Sequence, residues 1–456
     1  MKPTLLLVMA LAAGCSFNPG KGNNDLGSGG DDMLGGGDDM LGDGPDMTMV
    51  CTPGAKTCAS GMLSTCNLDG TGVDTASCVL GCNTAGNDCL ALQPTAPAVA
   101  MDFVYGGLSE LTIGASQTLL VFDTATGEIR DGAGAVVRMP NATPMSRNVE
   151  SGIGFHVVSG VGIWTFSKLT VPATTTIVFK GANAASILSA GDLTIAGTID
   201  VRGYADPTQS ATLCTGTVAG PGGTIGGTQA QVATGTGAGS GALDLSTGGG
   251  GAGYGDVGGD GGKHSNVNGG THGPMAGSAA INPLAAGFGG GASGGNGGGG
   301  GGALQLAAEG TLTIGGKINA GGCGGAQGDA THGGGGGGSG GAILVEAPTV
   351  HLTATAVLAA NGGGGGGGGD PMATAGSPGG SGMAQAAGGS AGNNGAAGGQ
   401  GGALNSTSGN PGSNGTGAGG GGGGVGRVRL NSRTGATVDG GSIISPAQTA
   451  GTVVIQ

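Results

Sequence analysis

Leu306-Ala307-Ala308-Glu309-Gly310-Thr311-Leu312-Thr313-Ile314-Gly315-Gly316-Lys317-Ile318 decides how the rest of this chain is read. The same spacing occurs upstream, where Ile187 leads through Gly191-Asp192-Leu193-Thr194-Ile195-Ala196-Gly197-Thr198 to Ile199. A third copy runs from Val345 through Thr349-Val350-His351-Leu352 to Val357-Leu358, with a one-residue slip. A weaker fourth runs from Val428-Arg429-Leu430 through Val438 to Ile443-Ile444. Within each copy apolar residues alternate, which is the period of a β-strand. A unit of about twenty residues is near one coil of a solenoid, and stacking such units builds one continuous core. Leu304/Leu306, Leu312/Ile314, Ile343/Val345, Val350/Leu352 and Val428/Leu430 are expected to point into that core. The expected fold is mainly β: β-solenoid-like stacked coils, glycine-rich extrusions, and a small disulfide-rich module.

Between the copies lie blocks of glycine. Of 456 residues 118 are Gly, with unbroken runs at 297–302, 333–338, 362–369 and 419–424. The insertions span about 203–301, 321–341 and 362–426, and their unequal lengths leave the apolar units intact. Ordering a residue costs about 1–2 kcal/mol of backbone entropy. A hydrogen bond returns about 0.5–1.5 kcal/mol net. On that near-balance, runs abutting the coils are expected to be ordered and the distal parts, 203–240 and 383–415, loose. Chains of glycine lack the Cβ that blocks close approach, so they can bond side by side as threefold extended helices. These blocks resemble the polyglycine-II lattices of some phage tail adhesins and of an insect antifreeze protein. The stretch Gly388-Gly389-Ser390-Ala391-Gly392-Asn393-Asn394-Gly395-Ala396-Ala397-Gly398-Gly399 resembles PGRS-type surface domains.

The N-terminus reads as an export signal. Lys2 precedes the apolar run Leu5–Leu11, which is too short to span a bilayer. Ala12-Ala13-Gly14-Cys15 then resembles the lipobox of bacterial lipoproteins, departing from it at Ala12, where Leu is commoner. The resemblance implies that residues 1–15 carry the signal, that Cys15 is lipidated and that Cys15 becomes the mature N-terminus. Ser16 in place of Asp implies sorting to the outer membrane. Residues 16–50 form an acidic Gly/Asp linker in which Gly29–Gly35 is repeated as Gly36–Gly42. Three glycines per seven residues exclude a coiled coil. As a flexible tether the segment reaches on the order of 30–35 Å.

Residues 51–89 hold Cys51, Cys58, Cys66, Cys78, Cys82 and Cys89, and Cys214 and Cys323 remain further on. A segment this short buries too little apolar surface to fold unaided, so covalent staples are expected. The eight cysteines beyond Cys15 fit three disulfides in the module plus one between Cys214 and Cys323. Six cysteines allow fifteen pairings, and spacing does not choose among them. The order of cysteines, with Pro53-Gly54, Gly61, Gly70 and Gly81, resembles a small six-cysteine repeat of exported proteins in large-genome Gram-negative soil bacteria. No paired C-x-x-C spacing or nearby His marks a zinc site. Residues 90–104, with Pro94 and Pro97, read as a second linker, and 105–456 as the solenoid-like domain.

Composition narrows the chemistry. With 14 Lys+Arg against 27 Asp+Glu the chain is unsuited to nucleic acid. Gly-x-Ser-x-Gly occurs at Ser293, Ser339 and Ser390, at about the frequency that chance gives here, and none opens a helix after a strand. None of the five histidines forms a metal-ligand spacing with another; His264 and His272 share one loop with Asp260, a weak metal candidate. Asp192, Asp200, Lys180 and Arg202 lie near one coil, but downstream coils repeat no acid pair. No catalytic residue, metal or cofactor is therefore assigned. The expectation is a non-catalytic, lipid-anchored outer-membrane protein exposed at the cell surface, with a structural or adhesive function. Its expected partners are the membrane and polysaccharide, matrix or a neighbouring cell, with self-association through a strand edge at Thr452-Val453-Val454-Ile455. The alternative is a carbohydrate-active solenoid enzyme, a lyase or hydrolase.

Overall fold

A computed structural model describes residues 49–456 apart from 207–209, 215–216, 230–231 and 370. The expected signal, Cys15 and nearly all of the acidic linker lie outside the described residues. Val50–Gln456 forms one compact unit.

The repeated units stack in parallel. Each coil is three short strands, and the first is Val161–Phe166, Leu169–Val171 and Thr176–Lys180. Coil two is Ala184–Ser189, Leu193–Ile195 and Thr198–Asp200; coil three is Ala303–Ala308, Thr311–Ile314 and Lys317–Asn319. Coil four is Ala342–Ala347, Thr349–Leu352 and Val357–Ala359; coil five is Arg427–Ser432, Thr437–Val438 and Ile443–Ser445. Three parallel sheets result, one from each strand position. The expected alignment is the observed register: Ile187 pairs Leu306, Leu193 pairs Leu312 and Ile199 pairs Ile318. Leu306 in turn pairs Val345, which pairs Leu430. These columns form one buried core. Each such aliphatic side chain is worth about 1.5–3 kcal/mol relative to exposure.

The bottom of the stack is closed by antiparallel strands. Ile153–Val158 turns back on Val161–Phe166, and Leu119–Asp123 starts a meander with Ile129–Asp131 and Val136–Arg138. Trp164 packs there against Phe122 and Phe155, with ring centroids 5.2 and 4.9 Å away, and its Nε1 donates to Gly127 O at 3.2 Å. Buried Arg138 donates to Ile153 O at 3.1 Å, Gly127 O at 3.0 Å and Asn141 Oδ1 at 2.7 Å. Burial pushes its pKa down to about 10.

One expectation is corrected. Residues 90–104 are not a free linker but a strap on the outer face of the first sheet. Leu92, Ala98 and Phe103 are buried there with Ile163, Leu188 and Leu344. Val454–Ile455 pairs antiparallel with Leu92–Gln93 in the strap, in a two-stranded sheet that occupies one edge of the C-terminal strand. The physical reason for the strap is that the first sheet is apolar on its two faces, as in Ala342-Ile343-Leu344-Val345, and needs a cover.

Candidate interaction surface

All three long insertions leave at one corner, between a third-sheet strand and the next first-sheet strand. Coil one passes this corner in three residues, Gly181 to Asn183, with Gly181 at φ +101°. At the later coils the corner carries Asp200, Asn319 and Asn361. Asp200 and Asn319 are in register. Asn361 Nδ2 donates to Gly380 O at 2.9 Å and Gly382 O at 2.7 Å, while Ser445 Oγ donates to Asn361 Oδ1 at 2.6 Å. Asp200 accepts from Arg202 Nε at 3.0 Å and from Tyr204 Oη at 2.8 Å. Burial and the Asp200 charge push the Tyr204 hydroxyl well above the usual tyrosine range. These side chains tie the excursions to the coils.

Beyond the corner, backbone holds backbone. Gly420 N donates to Gly366 O at 2.9 Å, Gly366 N to Gly335 O at 2.8 Å, and Gly335 N to Ala326 O at 2.9 Å. Gly421 N donates to Gly249 O at 2.9 Å, and Gly249 N to Gly334 O at 3.0 Å, so all three excursions are cross-bonded. The contacts repeat every third residue. Gly334 and Gly337 face Gly366 and Gly363; Gly335 and Gly338 face Asn296 and Gly299; Gly333 and Gly336 face Thr247 and Gly250. One run thus has three sides, each against a different strand of chain. The distal segments expected to be loose take part: Gly398 N donates to Gly389 O at 2.9 Å, and Gly239 N to Gly289 O at 3.1 Å. Close packing of buried backbone on all sides adds dispersion attraction beyond one hydrogen bond per ordered residue.

The runs are interior to this slab and its rim is polar. Asn266, Asn268, Asn393, Asn394, Gln400 and Asn414 are exposed. Tyr254 and Phe288 sit on its inner side, with Tyr254 buried against the first sheet. Cys214–Cys323 joins the first and second excursions, with Cα atoms 5.1 Å apart.

The module pairs Cys51–Cys66, Cys58–Cys82 and Cys78–Cys89. The Cys58, Cys78 and Cys89 sulfurs lie within 4.8 Å of one another, but as disulfide sulfurs they offer no thiolate to a metal. His272 Nδ1 meets Asp260 Oδ1 at 2.7 Å, whereas His264 Nδ1 meets Gly415 O at 3.2 Å, so the three do not converge. Ser339 Oγ accepts from Phe288 N at 2.8 Å, and Ser293 Oγ donates to Leu245 O at 3.2 Å. Lys180 reaches Asp123 at 3.3 Å and Glu128 at 3.6 Å; Asp192 Oδ1 accepts from Thr311 N at 2.8 Å. The polar residues near coil two are thus separate structural contacts.

Sequence reasoning missed the buried polar pins under the strap. Glu346, 2% exposed, accepts from Thr95 Oγ1 at 2.6 Å, Gln305 Nε2 at 2.7 Å and Asn431 Nδ2 at 2.9 Å. Glu309 accepts from Leu92 N at 3.4 Å, and burial pushes its pKa up to about 7 from an ordinary 4.5. The available signal was a carboxylate inside or beside a strand with apolar residues on both faces. Because the folded state holds this proton more tightly, stability should fall as pH rises from about 4.5 to about 7. Full burial would set the loss at about 3 kcal/mol; water on the open side of Glu309 reduces it to about 1–2 kcal/mol. Denaturation midpoints across that window should decline in the wild type, and the decline should shrink in Glu309→Gln. No helix among the described residues is long and apolar enough to cross a membrane. No family model, no curated protein and no solved structure matches this chain.

Proposed function

We propose that this is a non-catalytic structural or adhesive protein of a bacterial envelope, lipid-anchored through Cys15 at the outer membrane and exposed at the cell surface. The glycine excursions act in this reading as a polyglycine-II lattice, a stiff slab that needs almost no side chains. The observation that carries it is the backbone-to-backbone cross-bonding of all three excursions, with contacts repeating every third residue. That arrangement produces a broad face rimmed by neutral amides and hydroxyls, suited to many weak contacts with polysaccharide, matrix or a neighbouring cell. The four disulfides support an oxidising, extracytoplasmic setting.

Protease treatment of intact cells tests the surface placement. The protein should be shaved from intact cells; full protection, with cleavage only after lysis, would place it inside. Cys15→Ala should move it from the membrane fraction to the soluble fraction, since the acyl chains supply the anchoring energy at about 0.8 kcal/mol per buried CH₂. Unchanged membrane retention would refute the anchor.

A further inference from the structure

The last coil gathers cations that the rest of the chain does not neutralise. Arg130, Arg147, Lys180 and Arg202 each have a carboxylate partner. Among the described residues, no carboxylate pairs with Arg427, Arg429 or Arg433, three of the 14 basic residues. Arg427 and Arg429 project from the same face of one strand, about 7 Å apart along it, because Val428 and Leu430 between and beyond them point into the core. Arg427 lies over the Tyr254 ring, 5.7 Å from its centroid, and its Nη2 shares three long contacts, to Ala276 O at 3.3 Å, Gly277 O at 3.4 Å and Tyr254 O at 3.5 Å. Its Nε is buried with no hydrogen-bond partner. A buried donor left unsatisfied costs about 1–3 kcal/mol, so the protein itself leaves the Arg427 head group under-satisfied.

A cleft of about 140 Å³ opens beside this side chain, where the first and third excursions meet coil five. Asp256, Thr407 and Thr449 line it with Arg427. Burial by itself would raise the Asp256 pKa, but hydrogen bonds from Thr407 Oγ1 and from Val257 N, the latter at 2.8 Å, outweigh it and hold the group below the usual aspartate range. The cleft therefore offers a guanidinium, a fixed carboxylate and hydroxyls together. A bare oxyanion would satisfy Arg427 and be repelled by Asp256. A neutral sugar would bond Asp256 and leave Arg427 without an anion. A ligand carrying both a carboxylate and neighbouring hydroxyls satisfies both walls. The volume is below the roughly 300 Å³ of ordinary small-molecule pockets, which fits one residue of a polymer.

We propose that this cleft binds a hexuronate residue of an acidic polysaccharide, its carboxylate on Arg427 with Arg429 adding charge at the mouth, and a sugar hydroxyl on Asp256. The polymeric source rests on the cell-surface reading above; the binding does not, and it is measured on the purified chain. Ligand-detected NMR titrations of the full chain in mild detergent would use D-glucuronate, D-glucose and inorganic sulfate. Glucuronate should bind at least about tenfold tighter than either of the others, a difference easily resolved in such titrations. Arg427→Gln should lose that advantage. Asp256→Asn, which keeps the outline of the side chain, should weaken glucuronate and strengthen sulfate, and it decides the matter if Arg427→Gln does not fold. Sulfate binding as tightly as glucuronate would reduce the cleft to a plain anion site and overturn the proposal, as would no binding by any of the three. Protease shaving of intact cells reports the cellular placement independently, so either idea can fail alone.

Discussion

Gly420→Ala is expected to destabilise the protein by about 3 kcal/mol or more, whereas Gly380→Ala should stay within about 0.5 kcal/mol of wild type. A Cβ on Gly420 would lie 2.0 Å from Gly335 O and 2.5 Å from Gly335 C. The obstacle is backbone, so no rotamer change relieves it. Gly335 cannot retreat either, since its N–H is bonded to Ala326 O at 2.9 Å and a Cβ on its other side would meet Asn296 O at 2.0 Å. Gly380 lies in the same excursion, yet a Cβ there meets nothing within 4 Å. Both substitutions change unfolded-state entropy alike, so their difference isolates the packing of the slab. Denaturant midpoints measure it. Equal midpoints would mean that the excursions do not pack against one another in solution.

Replacing both Cys214 and Cys323 by Ser should cost about 4 kcal/mol. The bridge spans a sequence separation of 109, and the loop-entropy account assigns roughly 4.7 kcal/mol to a loop of about that length. Native-state adjustment trims the figure. The bridge also fixes the first excursion to the second near the corner, where Cys323 is fully buried and its N–H donates to Gly299 O at 2.8 Å. The expected signature is a lowered urea midpoint in the double variant and a smaller further fall when reductant is added, because only the module disulfides remain to be lost. A double variant as stable as wild type would show that packing alone holds the excursions together.

The coils were legible because their physics is local and repeated. Ile187, Leu306, Val345 and Leu430 lie at equivalent places in segments that alternate apolar and polar, and stacking in register is the arrangement that buries them all. The strap was not legible. Pro94 and Pro97 looked like linker, and nothing local announces that Thr95 will bond Glu346, 251 residues away. The cleft at Arg427 was equally hidden, since Asp256, Thr407 and Thr449 come from three separate stretches of chain.

The sequence by itself determined the β-unit, its register, the position of the insertions and the number of cysteines available for pairing. Each follows from side-chain periodicity or composition, which are properties of short stretches. Only the tertiary structure decided which cysteines pair, where the strap lies and that the glycine runs interlock. Glycine has no side chain with which to encode a partner, so the specificity of its contacts comes from where the coils deliver each run. Asp200, Asn319 and Asn361 release the excursions from one corner, and parallel stacking of the coils sets the runs side by side. The glycine blocks supply the capacity for close approach, and the solenoid supplies the address.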